Sequence, residues 1–252
     1  MPRLHRQVMS FLIREITSGA IAAGAALPRE ADLAAEHGVS RGVARECFRG
    51  LEERGLIRVK HGRGATVLPS SEWDMFDPEV LGALLEGSES ARVLGEYLEC
   101  RCILEIEAAA LAAERATRED LDALSAAFQR MTTTAERARL NPAAEELYQE
   151  ADIAFHRAVI IATENRALAR MTEPIHRGLS AAVRRLARPE ERFERGLPEH
   201  ERILLAIARR QPDEARAAMR DHLATVEGYL REYGRAGAKA RDGATARSSL
   251  HR

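Results

Sequence analysis

Three histidines and one aspartate in the second half of the chain have the types and spacing of a metal site. Asp152 and His156 are four residues apart in a helical stretch, which places both side chains on one helix face. His200 and His222 lie on the next predicted helices. Three imidazoles and one carboxylate suit zinc, and also nickel or manganese. Taken singly, each histidine is more often a packed or surface residue than a ligand.

The coordination number of such a metal decides what the site can do. Four protein ligands can close a tetrahedral shell, whereas an expanded shell leaves positions for water or for an incoming carboxylate. The second arrangement suits a sensor of organic acids. A metal-dependent enzyme is the alternative, because a histidine-rich metal site can activate water. No further side chain stands out as a general base, so we expect no enzyme.

A stripe of arginines near the amino terminus is the second set of groups that could do chemistry. Arg41, Arg45 and Arg49 recur every four residues and share one face of a predicted helix. Such a helix can lie in the major groove of DNA, where guanidinium groups meet guanine edges or phosphates. The alternative is a solvated charged face.

The elements around this stripe follow the order of a winged helix-turn-helix. A helix that begins at Pro28 is followed by Ser40, whose hydroxyl can cap the arginine helix, and Gly55 ends that second helix. Residues 56–60 and 65–68 then read as two strands around a basic turn. From this pattern the predicted DNA-binding residues are Ser40, Arg41, Arg45, Arg49, Lys60, His61, Gly62 and Arg63.

The rest of the chain is predicted to be helical. Apolar periodicity indicates an opening helix from His5 to Ile16. Further helical patterns cover residues 90–115, 118–133, 143–163, 167–186, 189–209 and 212–233, with Asn165 and Pro174 at or near interruptions. The sequence therefore predicts a mainly α protein, in which a winged helix-turn-helix precedes an all-helical antiparallel bundle.

Charge and composition divide the chain into segments. Residues 1–68 carry eleven basic and seven acidic side chains, a net charge of +4, whereas residues 69–233 carry 22 and 31, a net charge of −9. A basic head beside an acidic body fits phosphate binding by the head alone. We expect a DNA-binding domain at 1–68, a linker or connector helix at 69–88, an effector domain at 89–233 and a disordered tail at 234–252.

Cysteine usage and hydropathy predict a cytoplasmic protein. Cys47, Cys100 and Cys102 form no Cys-x-x-Cys pair, and their odd number argues against a disulfide framework. No uninterrupted apolar stretch has the form of a signal peptide or a membrane span. We therefore expect reduced thiols and no membrane partner.

Residues 3–68 resemble the amino-terminal domain of the GntR family of bacterial transcription regulators. The elements that carry the resemblance include Leu27-Pro28, Gly38-Val39-Ser40-Arg41, Arg45-Glu46 and Gly55-Leu56-Ile57. After the proline this family usually reads Ser-Glu-Arg, and the resemblance implies that its arginine contacts DNA. Here Ala31 stands at that position and removes the contact. Arg29 is added to the predicted DNA-binding residues, and the sequence leaves open whether it compensates.

Residues 99–233 resemble the all-helical effector domain of the FadR-type, or FCD, branch of the same family. In that branch the pattern Asp-x-x-Phe-His, followed by His and His-Leu on the last two helices, supplies the metal ligands. The resemblance implies that the ligands here are Asp152, His156, His200 and His222. It also implies that Arg101 faces the effector pocket, where a guanidinium can hold a carboxylate with two parallel hydrogen bonds. By helix spacing alone, an ion pair between Arg101 and Glu105 is the alternative.

Three further residues are candidates for contact with the effector, and two of them also suit another position. Glu105, Asn165 and His176 are candidates for the pocket, but Asn165 also suits a helix boundary and His176 the surface. A weak motif at residues 73–84 resembles the connector in FadR-type regulators of sugar-acid catabolism, which favours a hydroxylated carboxylate over a fatty acyl thioester.

The resemblance as a whole implies a ligand-responsive transcription regulator. It predicts a homodimer that binds a palindromic operator in double-stranded DNA, acts as a repressor and senses a small carboxylate through its metal. A regulator whose metal is purely structural, or is itself the signal, is the alternative.

Overall fold

The chain forms two compact units, Met1–Ser90 and Ala91–Arg252, built mainly of α-helices. The structure is a computed structural model that describes residues 2–60, 64–141, 144–183 and 189–248. Within these ranges it contains ten α-helices and one two-stranded sheet, so the predicted mainly α fold is confirmed. Within these same ranges, no helix is long and apolar enough to cross a membrane.

The first unit is the predicted winged helix-turn-helix. Its elements are α1 (Pro2–Thr17), α2 (Glu30–Glu36), α3 (Arg41–Glu53), β1 (Ile57–Lys60), β2 (Gly64–Val67), a short 3-10 helix (Ser70–Glu72) and α4 (Pro78–Glu86). The two strands pair antiparallel, with Ile57 opposite Val67, and Ala26 forms an additional bridge to Thr66. The wing is therefore joined to the chain segment before α2.

The helices of this unit begin where local chemistry favours them. Ser40 caps α3, because its Oγ accepts a hydrogen bond of 3.3 Å from the Val43 N–H. The start predicted for α2 at Pro28 is wrong: Arg29 is extended at the N-cap position, and the helix begins at Glu30. An acidic first turn there is favourable, because the amino end of a helix carries partial positive charge.

An apolar face of α1 packs behind the helix-turn-helix. Its buried side chains, Val8, Met9, Leu12, Ile13 and Ile16, recur at the spacing of one helix face. From α3 the buried contributions are Ala44, Cys47, Phe48 and Leu51. The core of the first unit therefore holds α3 on one side and leaves its arginine face in solvent.

Segment 69–88, predicted to be a linker or connector, lies within the first compact unit. The indole N–H of Trp73 donates to the Leu68 carbonyl oxygen at 3.0 Å. Asp77 caps α4, and Arg54 at the end of α3 reaches both Asp77 and Glu79, at 3.1 and 2.9 Å. These contacts attach the start of α4 to the carboxyl end of α3 in the same unit.

The second unit contains six helices. They are α5 (Ser90–Arg115), α6 (Arg118–Leu140), α7 (Glu145–Ile161), α8 (Arg166–Val183), α9 (Pro189–Ala208) and α10 (Pro212–Ser248). Helix α6 packs against α7 and α9, α7 against α8, and α9 against α10. A capping box between Thr117 and Asp120 begins α6. Among the described residues, therefore, the bundle follows the predicted helical segments closely.

Two positions in this unit differ from the sequence prediction. Pro174 lies inside α8, although the missing N–H of proline made it a candidate interruption. Helix α10 continues to Ser248 and so includes much of segment 234–252, for which we predicted disorder. That segment is rich in alanine and arginine, which have high intrinsic helix propensity.

Gly55→Ala is expected to destabilise the first unit more than the matched variant Gly38→Ala. Both glycines have a left-handed backbone, with φ of 68° and 64°, so each alanine costs about 1–2 kcal/mol in conformation. At Gly55 an added Cβ would also lie 2.1 Å from the carbonyl oxygen of Glu72, whereas at Gly38 it would meet nothing within 4 Å. We expect this clash to cost about 1–3 kcal/mol more.

Urea unfolding of the full chain, followed by tryptophan fluorescence, measures the difference. Trp73 is the one tryptophan of the chain, and its Cα would lie 3.4 Å from the Cβ added at Gly55. Equal losses of unfolding free energy in the two variants would show that the contact with Glu72 has no cost.

Candidate metal centre and DNA-binding face

The four predicted metal ligands come together in the second unit. Asp152 and His156 lie on α7, His200 on α9 and His222 on α10. The ligand atoms of the three histidines all lie within 4.8 Å of one another. His200 Nε2 is 3.2 Å from His156 Nε2 and 3.3 Å from Asp152 Oδ1. For comparison, two ligand atoms about 2.0–2.1 Å from a tetrahedral zinc ion lie about 3.4 Å apart.

An oxygen acceptor lies beside the Nδ1 atom of each histidine. The pairs are His200 with the Gly196 carbonyl oxygen at 2.6 Å, His222 with Glu199 Oε2 at 3.0 Å, and His156 with Glu105 Oε2 at 2.8 Å. The third pair is close enough for a hydrogen bond but is not well aligned for one. In His200 and His222, an Nδ1–H that donates to this oxygen leaves Nε2 free to bind a metal.

Burial favours the neutral form of His156 and His222. Burial, together with the positive charge of Arg101, lowers the pKa of His156 to about 3, although the Glu105 carboxylate acts in the opposite direction. Burial also lowers the pKa of His222 well below its ordinary value. Neutral imidazole is the form that binds a metal.

The arrangement has the chemistry of a divalent cation site. Three buried imidazoles direct lone pairs at one another, and the Asp152 carboxylate adds negative charge beside them. A divalent cation at this point would be bound by the ring nitrogens and would compensate the buried Asp152 carboxylate. The residues present therefore fit the group that the sequence predicted.

The ligands line a small cavity of about 50 Å³. One water molecule needs about 10–15 Å³ of such space, so a few waters or a small organic group can be held. Other polar residues in its lining are Arg101, Tyr148, Gln149, His176, Glu199, Thr225 and Tyr229. Cationic, hydroxyl and amide groups thus surround the metal ligands.

Arg101 lies in this lining and also forms the ion pair that helix spacing offered as its alternative. Its Nε and Nη2 atoms donate to the two carboxylate oxygens of Glu105 at 2.6 and 3.1 Å. Both side chains are buried. Burial acts to raise the pKa of Glu105, but Arg101 beside it lowers that pKa well below its ordinary value. Arg101 therefore takes both predicted roles, because it lines the cavity and also forms the ion pair with Glu105.

Asn165 and His176, the other candidates for the pocket, lie in different places. Asn165 is exposed at the start of α8, where its Oδ1 accepts from the N–H groups of Ala167 and Leu168 at 3.1 Å. It is a helix-boundary residue outside the cavity lining. His176 is buried and lines the cavity, and its Nε2 contacts Glu105 at 2.7 Å.

The sequence analysis did not predict the groups that contact the Nδ1 atoms of His200 and His222, which are the Gly196 carbonyl oxygen and the Glu199 carboxylate. Glu199 accepts from His222 and, at 2.6 Å, from the Thr225 hydroxyl. Helix spacing gives a signal for one contact, because Gly196 precedes His200 by four residues. The pair between α9 and α10 had no local signal, since it depends on how the two helices pack.

The predicted DNA-binding residues lie on the surface of the first unit where they are described. Arg41 and Arg45 are exposed on α3, and Arg49 is exposed but paired with Glu53 at 2.9 Å. Arg29 and Lys60 are also exposed. His61, Gly62 and Arg63 lie outside the described residues. The arginine face of α3 is therefore free of the protein core.

Each of the two units matches a known protein family. Residues 4–67 match the gntR family of bacterial regulatory proteins, and residues 96–225 match the FCD domain. The galactonate operon transcriptional repressor of Escherichia coli is 32% identical over 235 residues, covering 90% of this chain and 96% of the relative. The regulator LutR of Bacillus subtilis is 33% identical over 223 residues, covering 86% and 97%.

A solved structure supports the fold independently of close sequence similarity. The structure of Lar, which controls expression of the Listeria monocytogenes agr system, covers 90% of this chain and 96% of its own with a TM-score of 0.65 and 21% identity. This likeness concerns the fold alone. The family assignment follows from the sequence matches. The chain belongs to the GntR family of bacterial regulatory proteins, in the branch that carries an FCD domain, and it is a ligand-responsive DNA-binding transcription regulator.

Proposed function

We propose that this regulator senses a small carboxylate at a divalent metal held by Asp152, His156, His200 and His222. One observation carries the proposal: ring nitrogens of three buried histidines converge beside one carboxylate, while each Nδ1 lies next to a carbonyl or carboxylate oxygen. Zinc suits this ligand set best, and nickel and manganese are the alternatives. When bound, the metal supplies positive charge that attracts an anionic oxygen.

The second positive group for a carboxylate is Arg101. It is buried, lines the same cavity and is already oriented by Glu105. A guanidinium held in one orientation loses little freedom when it binds an anion. The cavity of about 50 Å³ favours a small acid over a fatty acyl thioester.

A hydroxylated acid fits the remaining lining. Tyr148, Gln149, Thr225 and Tyr229 are among the residues that line the cavity, and hydroxyl and amide side chains can bind the hydroxyls of a sugar acid. One relative is named for the galactonate operon. Together these observations support an aldonate as the effector class.

The DNA-binding event is proposed to involve a cytoplasmic homodimer on a palindromic operator. Two winged helices related by a two-fold axis would meet half-sites about one helical turn apart. The effector would bias the helical domain toward an arrangement with lower operator affinity, which requires different affinities for the two states. The regulator is thus proposed to be a repressor that the acid releases.

His200→Ala is expected to abolish metal binding by the purified protein. The wild type should carry about one divalent ion per chain, because a structural or sensory site of this kind binds tightly. Elemental analysis of the wild type, His200→Ala and the control His5→Ala measures the metal content. Retention of a full equivalent of metal by His200→Ala would exclude the proposed ligand set.

Galactonate and related aldonates are expected to weaken operator binding when the metal is present. Gel shifts on an operator selected from a random duplex library would compare metal-loaded and metal-stripped protein, each with and without acid. Arg101→Gln should reduce the response to acid, because a neutral amide cannot replace the charged fork. A response to metal alone, with no effect of any acid, would make the metal the signal and exclude a carboxylate sensor.

Arg45→Ala is expected to weaken specific operator binding by about 1–3 kcal/mol, because a bidentate base contact has that value. The matched control is Arg118→Ala, which removes an exposed arginine from the second unit. Affinities for the operator and for random duplex DNA are measured at one salt concentration. Equal losses on both DNAs would assign Arg45 to phosphate contact instead.

A further inference from the structure

Glu105 is a buried carboxylate that four protein nitrogens surround. Its side chain is 1% exposed. Oε1 lies 2.6 Å from Arg101 Nε and 2.7 Å from His176 Nε2, and Oε2 lies 3.1 Å from Arg101 Nη2 and 2.8 Å from His156 Nδ1. An ionised carboxylate offers about four lone-pair sites. Protein nitrogens therefore surround both oxygens of Glu105: three contacts have hydrogen-bond geometry, and the contact with His156 is close but not well aligned for a hydrogen bond.

This saturation separates Glu105 from the effector contacts among which the sequence placed it. A direct contact to a sugar hydroxyl would need a lone pair that is not already faced by a protein donor. A direct contact to an effector carboxylate would bring two anions together in a buried site. Glu105 is therefore poorly suited to touch the effector.

The contacts of Glu105 connect three helices. Arg101 is on its own helix α5, His156 is on α7 and His176 is on α8. A buried charge needs compensation, and the guanidinium of Arg101 supplies it one helical turn away. The carboxylate can then remain ionised while it faces a metal ligand on one side and the cavity arginine on the other.

We propose that Glu105 is a positioning residue of the metal centre, and this inference rests on the proposed metal site. It orients the ring of His156 so that Nε2 points toward His200, and it fixes Arg101 in the lining of the same cavity. Gly196 and Glu199 have the corresponding place behind His200 and His222. Of these three holders, Glu105 alone also contacts the arginine, so it couples the metal to the anion-binding group.

Glu105→Gln should weaken zinc binding by about 10- to 100-fold, the usual effect of losing such an outer partner. The variant keeps the size of the side chain but removes its charge. Zinc affinity is measured on the full chain by competition with a chromogenic chelator. The matched control is Glu107→Gln, two residues along α5, where an exposed carboxylate pairs with Arg216 and faces no metal ligand. The control should bind zinc as the wild type does.

Cobalt substitution gives a readout that a merely structural role would not change. The visible absorption of bound Co²⁺ depends on the geometry of its ligands, so a rotated His156 ring should shift the spectrum of Glu105→Gln. If Glu105→Gln only lowers the unfolding temperature, while zinc affinity and the cobalt spectrum match the wild type, the inference is overturned.

A second variant covers the case in which Arg101, left without its partner, prevents folding. The double variant Arg101→Met with Glu105→Gln removes both charges of the pair, which is often tolerated in a buried site. It should show the same loss of zinc affinity and the same spectral shift. Wild-type zinc affinity in a folded double variant would contradict the inference, whereas failure of the wild type to bind zinc, nickel or manganese would instead refute the proposed metal site.

Discussion

Ring nitrogens of three buried histidines lie within 4.8 Å of one another and beside the Asp152 carboxylate, and this convergence constrains the second unit. Because these atoms come from α7, α9 and α10, the helices must keep their positions for the ligand atoms to meet. A bound divalent ion would therefore stabilise the packing of three helices as well as take part in sensing.

The first unit depends on a different kind of contact, between the carboxyl end of α3 and residues 72–79, which follow the wing. Arg54 reaches the carboxylates of Asp77 and Glu79 at the start of α4, and the Gly55 backbone passes close to Glu72. Helix α4 is therefore part of the DNA-binding unit and not a loose tether. A displacement of α4 would therefore change the contacts of Arg54 at the carboxyl end of α3.

The sequence predicted the features that depend on local spacing. The four-residue interval of Asp152 and His156, the Ser40 cap and the apolar face of α1 each need one element, so periodicity and capping rules suffice. The pair of Arg101 and Glu105 was also visible as an alternative. The contacts of Glu105 with His156 and His176 were not, because they depend on the packing of α5 against α7 and α8. Asn165 shows the opposite case, since its local capping chemistry determines its place.

The geometry of Arg101 limits how an effector can act. Glu105 engages Nε and Nη2 of the guanidinium, so the group is oriented before any acid arrives. Preorganisation lowers the cost of binding, but an effector changes an equilibrium only through its difference in affinity for two states. In a cavity of about 50 Å³ only a few contacts can supply that difference, and Arg101 and the proposed metal ligands are among the groups that line it. Helix α5 carries Arg101, and α7, α9 and α10 carry the proposed metal ligands, so these are the helices whose relative positions a ligand in the cavity would bias.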